Sequence, residues 1–449
     1  MSDLMGIGAS AVSAYRTALD AIGENVANAQ TPGYARREVR LQEMTVSGNS
    51  GPIYTESASF GGVRAASVGR AWDMFRAADA RAAAGSSGRA DTRQYWLTAV
   101  EGALDDGAAG VGSTIGKFFN AATSLAASPA DTLGRRAMLM ALDDSSGAFR
   151  ATADSLQRAA AGITSAAGTE VKALNADLNA LAGLNVSLLR SAPGGTTRAA
   201  LEDQRDNLID SIAARVDVQV DVDDRGVATL RLAHATDTVL ADLRGANQVV
   251  ASTADDGRLS LKLAVGGALA PLPVADGSLA ALTDVAASTA DRRAGLDSLA
   301  KDFAAAVNAW SAQGKDSGGN PGAPLLEAPT GAASVRVLTQ DPAAIAAASA
   351  DGTSNGNLLA LGSLRGAGGI ESRWAAMVTD HAATLASAKS ESTIAATRRD
   401  NSRAALDQVI GVNLDQEAAD LMRYQQAYSG ATRILQVARE TVQAIINIF

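Results

Sequence analysis

The sequence predicts a mainly α fold with a small β domain: a long helical-bundle trunk, a terminal coiled coil of the N- and C-terminal helices, and discontinuous, nested domains. Three observations carry this expectation. Toward the C-terminus, apolar residues fall at Leu414, Ala418, Leu421, Tyr424, Tyr428, Ala431, Leu435, Ala438, Val442, Ile445 and Phe449. From Ala418 the steps are threes and fours, close to a heptad seam. At the other end Leu4, Ile7, Ala11, Tyr15, Ala18, Ile22 and Val26 form a second amphipathic stripe, with Asp3 and Glu24 off it. At Val216 the apolar period changes to alternation (Val216, Val218, Val220, Val222), the signal of a strand.

A short helix with an exposed apolar stripe is marginal alone. The ends are therefore expected to pair with each other or with neighbouring copies, weakly in a monomer and firmly in an assembly. Spacing alone leaves open that both are ordinary helices packed into the protein's own core.

The first helix is expected to stop near Gln30, where Thr31-Pro32-Gly33 signals a turn: Pro presets φ and Gly tolerates the left-handed region. Residues 38–70 mix Gly, Ser and Thr with short apolar pieces (Val39, Leu41; Ile53, Tyr54; Val63, Val68) and suit strands or loops. From Ala71 the texture is helical, with Trp72, Phe75, Tyr95, Trp96, Val100 and Leu104 on one pattern broken at Gly85-Ser86-Ser87-Gly88. A helix around Phe118, Phe119 and Leu125 ends at Ser128-Pro129. Residues 132–188 read as one long Ala-rich helix, and helix resumes from Leu201 to Ile212 after a Pro-Gly-Gly loop.

A strand–turn–strand follows Val216 through Asp223-Asp224-Arg225-Gly226, and strand-like runs recur at 239–243, 248–251 and 259–265. Helix returns at 291–310, a Gly/Pro-rich loop occupies 314–331, and a helical pattern follows Pro342. The last helices span roughly 371–411 and 413–449. The expected layout is a terminal coiled-coil layer from 1–45 and 405–449, a helical trunk from 46–215 and 284–404, and a β-rich outer domain at 216–283.

Composition removes several function classes. A net charge of -9 argues against a nucleic-acid partner, which selects basic faces. The absence of Cys excludes disulfides and thiolate chemistry and removes the commonest zinc ligands. Two histidines, His234 and His381, leave little for metal binding or general-base catalysis. No apolar run approaches the roughly 18–20 residues of a membrane span, so no membrane partner is expected. The N-terminus carries acidic Asp3 and no basic region, so export by a cleaved signal is not expected.

Gly352-Thr353-Ser354-Asn355-Gly356 fits a nucleophile-elbow pattern with His381 downstream, but an elbow needs a buried strand before the Ser. Residues 343–350 read as helix, so a serine hydrolase using Ser354 stays a remote alternative. Asp221 to Leu232 starts like a calcium loop but lacks the closing Glu, and Asp316, Asn320 and Glu327 place Pro321 where Gly is needed. The Arg pairs 36/37, 135/136, 292/293 and 398/399 are accounted for as solvated helix faces. No catalytic, cofactor or metal site is expected.

Asn25, Asn28, Thr31, Pro32, Gly33, Tyr34 and Arg36 form a spaced motif similar to the one shared by axial proteins of the bacterial flagellum: rod, hook and hook-associated protein 1. At the other end, Val412-Asn413-Leu414-Asp415-Gln416-Glu417 followed by Tyr424 and Tyr428 resembles the ending of the hook-associated protein 1 family. Gly62–Phe75, Leu201–Ile209 with its Asp203-Gln204-Arg205-Asp206 run, and Leu299–Trp310 resemble internal stretches of that family. One departure stands out. Larger members insert a further outer domain where this chain passes from Glu327 to Pro342 almost directly.

The resemblance implies a structural protein that forms the junction between hook and filament, outside the cell, after export unfolded through the flagellar type III apparatus. A hook or rod protein is the alternative within the class. The implied partners are copies of itself in a ring, the hook protein, hook-associated protein 3, and an export chaperone on the C-terminal helix. The expected assembly seam comprises Leu4, Ile7, Tyr15, Ile22 and Val26 with Leu414, Leu421, Tyr424, Tyr428, Leu435, Val442 and Ile445. The chaperone would cover Leu421, Tyr428, Leu435, Val442 and Ile445, and the Thr31–Tyr34 turn would set how the coil leaves the trunk.

Overall fold

The computed structural model describes residues 2–46, 59–105 and 107–447; Ile53, Tyr54 and Phe449 of the readings above lie outside them. Helix α1 (Ser2–Asn28) leads through the Thr-Pro-Gly turn into a hairpin, β1 (Arg37–Val46) and β2 (Ser59–Arg70). The strands are antiparallel, with Arg37 opposite Arg70 and Val39 opposite Val68. Then come α2 (Met74–Ala103), α3 (Val111–Ala127), α4 (Thr132–Arg190) and α5 (Thr196–Ala213).

Strands β3 (Val218–Val222), β4 (Ala228–Leu232), β5 (Ala235–Asp242) and β6 (Gly245–Ala246) pair in sequence order as one sheet. A second sheet holds β7 (Gln248–Thr253), β8 (Leu259–Val265) and β9 (Ala268–Pro271). The alternating stretch read as one β unit therefore divides its strands between two sheets. The chain ends with α6 (Ser278–Gln313), the short α7 (Gly356–Ala360), α8 (Ile370–Ile410) and α9 (Leu414–Ile446).

Three expectations need correction. Helix α2 runs through Gly85–Gly88 without a break. A Gly inside a helix costs about 1 kcal/mol, but a Cβ at Gly85 would sit 2.9 Å from the Ala213 carbonyl oxygen, so the missing side chain permits close approach of α5. The buried face of α2 is Ala77, Ala83, Ala90, Leu97 and Val100, whereas Phe75 is 81% exposed and Tyr95 67%. Alanines and aliphatic side chains face inward in place of Phe75 and Tyr95, while Val100 and Leu104 of the expected pattern are buried. Finally, residues after Pro342 form a single 3-10 turn, Pro342–Ala344, and then extended chain to a short strand at Ala348–Ser349. Arg135 donates to the Ile345 carbonyl at 2.8 Å, and the buried Asn357 amide donates to the Ala346 carbonyl at 2.7 Å. These side chains occupy carbonyls that a helix would have needed for itself.

The chain divides into two compact units. One comprises Met1–Ser86, Ala173–Gln248 and Ala396–Phe449, and the other Ser87–Lys172 and Val249–Ala395. The second unit is built on an aromatic core in which the Phe303 ring lies 6.0 Å from Phe118 and 5.8 Å from Phe149, edge-on to the first. Leu125, Leu142, Leu156, Trp310 and Trp374 are buried around it. In the first unit, Asn185 of α4 ties down β4 with both ends of its amide, accepting from Ala228 N at 2.9 Å and donating to Ala228 O at 2.8 Å.

Candidate assembly interface

The first unit brings the two ends of the chain together. Helices α1 and α9 pack along each other, and α1 also lies on the β1–β2 hairpin. Gly8 sits at Leu435, the Tyr15 and Tyr424 rings are 6.2 Å apart, and Asn25 meets Glu417, so the helices run antiparallel. On α1, Ala11, Ala14, Ala18, Ala21 and Ile22 are buried, and Ile7 and Tyr15 half-buried. On α9, Ala431 and Ala438 are buried, with Leu421, Tyr424, Tyr428, Leu435 and Val442 half-buried.

Four residues of the expected seam lie outside the α1–α9 pairing. Val26 and Leu414 are 48% and 53% exposed, and the seam runs instead to Asn25 and Glu417, exposed by 1% and 2%. Leu4 and Ile445 are exposed as well. At the Val26–Leu414 end a polar contact takes the place of an apolar one. Asn25 Nδ2 donates to Glu417 Oε2 at 3.1 Å and to the Arg37 carbonyl at 3.1 Å. Its Oδ1 accepts from Arg37 N at 2.7 Å and from the Tyr34 hydroxyl at 2.8 Å. Burying an amide is tolerable because every lone pair and proton finds a partner, and that requirement outranks the apolar period at this turn.

The Thr31–Tyr34 turn is fastened at both ends. Thr31 N donates to Asn28 O at 2.9 Å, the Thr31 hydroxyl to Asn28 Oδ1 at 3.2 Å, and Tyr34 N to Thr31 O at 3.2 Å. Pro32 is exposed. Gly33 has φ +75°, a conformation that L side chains rarely adopt, and a Cβ there would also displace the Asn207 side-chain amide of α5. Burial pushes the Tyr34 phenol up to about 12, although the Arg37 guanidinium stacked 4.7 Å from its ring opposes the shift. Arg36 N then donates to the Ile410 carbonyl at 2.8 Å, joining the exit of the turn to the end of α8. Asn413 caps α9, its side chain accepting from Asp415 N at 3.0 Å and Gln416 N at 3.2 Å.

Behind the turn lies a set of buried ion pairs centred on α5. Asp203 accepts from Arg37 Nη2 at 2.6 Å and from Arg70 Nη1 at 2.8 Å. Asp206 accepts from Arg70 Nη2 at 2.7 Å and from Arg81 Nη2 at 3.1 Å, and Asp210 from Arg81 Nε at 2.7 Å. The Arg205 guanidinium lies against Asp206 at 3.1 Å. The reading of the Arg pairs as solvated helix faces therefore fails for Arg37, which is in a strand and buried, and for Arg135, which is buried on loop carbonyls. Sequence spacing could not have found these partners, because Arg37 and Asp203 are 166 residues apart. The one available signal was the Asp203–Asp206 run itself.

The arrangement fastens the turn to α5 and to the end of α8. Ser354 is exposed, and the buried His381 has its Nε2 2.9 Å from the Leu97 carbonyl oxygen. Burial pushes its pKa below the ordinary value. Extended chain before Ser354 removes the helix that counted against an elbow, but His381 is committed to a carbonyl, so a base for Ser354 must come from elsewhere. Asp223 and Asp316 each accept backbone N–H groups of their own turns. Among the described residues no group of three or more His, Asp or Glu side chains could hold a metal ion, and no helix is long and apolar enough to cross a membrane.

Residues 97–326, just over half of the chain, match the flagellar hook-associated protein FlgK helical domain. Residues 5–34 match a flagella basal body rod protein family, and residues 409–448 the C-terminal family of flagellar basal body rod FlgEFG proteins. The flagellar hook-associated protein 1 of Salmonella typhimurium is 27% identical over 330 residues, covering 72% of this chain and 59% of that protein. The protein of the same name from Bacillus subtilis is 25% identical across 97% of this chain and 96% of its own length. The flagellar hook junction protein FlgK of Burkholderia pseudomallei superposes with a TM-score of 0.51 over 56% of this chain and 46% of its own, at 22% identity. That likeness concerns the fold. The chain thus spans about three-fifths of the Salmonella relative's length, and it belongs to the flagellar hook-associated protein FlgK family.

Proposed function

We propose that this chain is a structural, non-enzymatic axial protein of the bacterial flagellum, forming the junction between hook and filament. The observation that carries the reading is the α1–α9 pair, which closes one face of each helix and leaves Leu4, Val26, Leu414, Met422, Ile434, Val437, Ile445 and Ile446 exposed. Exposed apolar surface on this scale on paired helices suits contact with further copies. A head-to-tail contact repeated by rotation builds a ring or tube. Segments 1–45 and 405–449 would form the layer in which copies meet. The hook protein and hook-associated protein 3 would lie on either side of the ring.

Before export, a chaperone would cover Leu421, Tyr428, Leu435, Val442 and Ile445 of α9, shielding an apolar face that would otherwise aggregate. Export would deliver the chain unfolded through the type III apparatus to the outside of the cell. Deleting residues 410–449 is expected to abolish chaperone binding and junction assembly while the second unit stays folded. Unchanged chaperone affinity in the truncated protein overturns the chaperone assignment. Filaments that still grow on hooks in a strain carrying only the truncated chain overturn the junction role. A Ser354→Ala variant with lost motility but intact secretion would favour the hydrolase instead.

A further inference from the structure

The fully buried apolar positions of the α1–α9 seam are nearly all small, with larger side chains such as Tyr15, Tyr424 and Leu435 half-buried along its margins. Gly8, Ala11, Ala14, Ala18 and Ala21 line α1, and Ala431 and Ala438 are the buried apolar residues of α9. Near-identical small knobs specify alignment poorly, because sliding one helix replaces each with its like. Ala431 and Ala438 are themselves seven residues apart, so a slide of one heptad puts one where the other was.

The polar contact has no such degeneracy. Asn25 and Glu417 meet at 3.1 Å with both side chains buried, and the remaining capacity of Asn25 is committed to Tyr34 and Arg37. With α9 slid one heptad in one direction, Glu417 would face Ala18. In the other direction, Asn25 would face Tyr424. Either slide leaves a buried carboxylate or amide without its partner, which costs more than any exchange among alanines.

We propose that Glu417 is the register-determining residue of the terminal helix pair, acting through Asn25, while the alanine seam supplies attraction without specifying alignment. The proposal concerns the chain's own two ends and stands whether or not the chain builds a hook–filament junction.

The natural chain has no Cys, so introduced pairs report alignment directly. A Cβ at position 8 would lie 2.8 Å from Leu435 Cγ, so Gly8→Cys with Leu435→Cys reads the observed register. Gly8→Cys with Tyr428→Cys, or with Val442→Cys, reads a one-heptad slide in either direction. Full-length chains are oxidised at high dilution and resolved without reductant, so that crosslinks between copies appear as dimers. On the natural background the 8/435 pair should crosslink at least tenfold faster than either slid pair. Glu417→Gln keeps an oxygen to accept from Asn25 and should preserve that ratio. Asn25→Leu with Glu417→Leu, which removes both polar groups together, should bring a slid pair to within about threefold of 8/435. An unchanged tenfold preference in the double leucine chain overturns the proposal. So does loss of all three crosslinks in that chain while Glu417→Gln retains them, because the contact would then hold the helices together rather than align them.

Discussion

Replacing Asp203 by Ala tests whether the buried ion pairs behind the turn hold the first unit together. Its two oxygens accept from Arg37 at 2.6 Å and Arg70 at 2.8 Å, and the three side chains are only 4–10% exposed. Arg70 keeps Asp206 and has Glu202 3.2 Å from its Nε, so its loss is partial. Arg37 keeps the Ala35 carbonyl at 3.1 Å and the Tyr34 ring but no carboxylate. Removing one partner of a buried pair costs about 3–5 kcal/mol, because the remaining charge stays out of water. With Arg70 largely compensated, the expected loss is about 3 kcal/mol.

The internal control is Arg398→Ala, which breaks a 3.4 Å pair with Asp79 whose side chains are 60% and 55% exposed. That change should cost under about 1 kcal/mol. Because the chain has two compact units, a single unfolding midpoint is not a safe measure. Amide exchange in α5 and the β1–β2 hairpin, followed through urea, reports the first unit by itself. A cost for Asp203→Ala below about 1 kcal/mol, or one no larger than for Arg398→Ala, would refute the view that these pairs matter to the fold.

Other outcomes follow from single contacts. Gly33→Ala should destabilise the first unit by about 1–3 kcal/mol, since an L side chain at φ +75° is strained and its Cβ meets Asn207; adding Asn207→Ala should restore only part of the loss in the same exchange assay. Phe303→Ala removes a ring packed between Phe118 and Phe149 and should cost the second unit about 3–5 kcal/mol by amide exchange in α3 and α6 followed through urea, with Phe303→Leu milder. Burial holds His381 below its ordinary 6.5, so the unfolded chain takes up the proton first. The second unit should be fully stable above about pH 6.5 and lose stability as the pH falls below it, a slope that His381→Gln should flatten. Tyr34 works in the opposite direction. Its phenol is raised to about 12 from 10.0, so protection of the α1–β1 turn should fade as the pH rises from 10 to 12, and Tyr34→Phe should remove that dependence.

Much of the helical framework was legible in the sequence because it follows local period. The long α4, with Leu139, Leu142, Phe149, Leu156, Ile163, Leu174, Leu178 and Leu181 on one face, buries all of them. The two terminal stripes and the break before Asn413 were equally plain, as was the alternation that becomes β3 and β4. Local period misled where backbone approach or side-chain capture decided the outcome. Gly85 looked like a helix breaker and is instead a close contact with the Ala213 carbonyl. The Ala-rich run after Pro342 has strong helix propensity, but Arg135 and Asn357 hold its carbonyls in an extended path. At the candidate interface, periodicity located the helices and their apolar faces but not the buried polar pair Asn25–Glu417, which lies beside the exposed Val26 and Leu414.

The chain's own sequence determined which segments are helices, which faces are apolar, and that a Gly is required at the turn, since these depend on neighbours within a few residues. Tertiary structure alone decided which polar groups are buried. Asn25 finds Glu417 392 residues away, and Arg37 finds Asp203 166 residues away. No local pattern encodes such pairings, because a buried polar side chain is tolerated only when the fold brings a partner within hydrogen-bond reach.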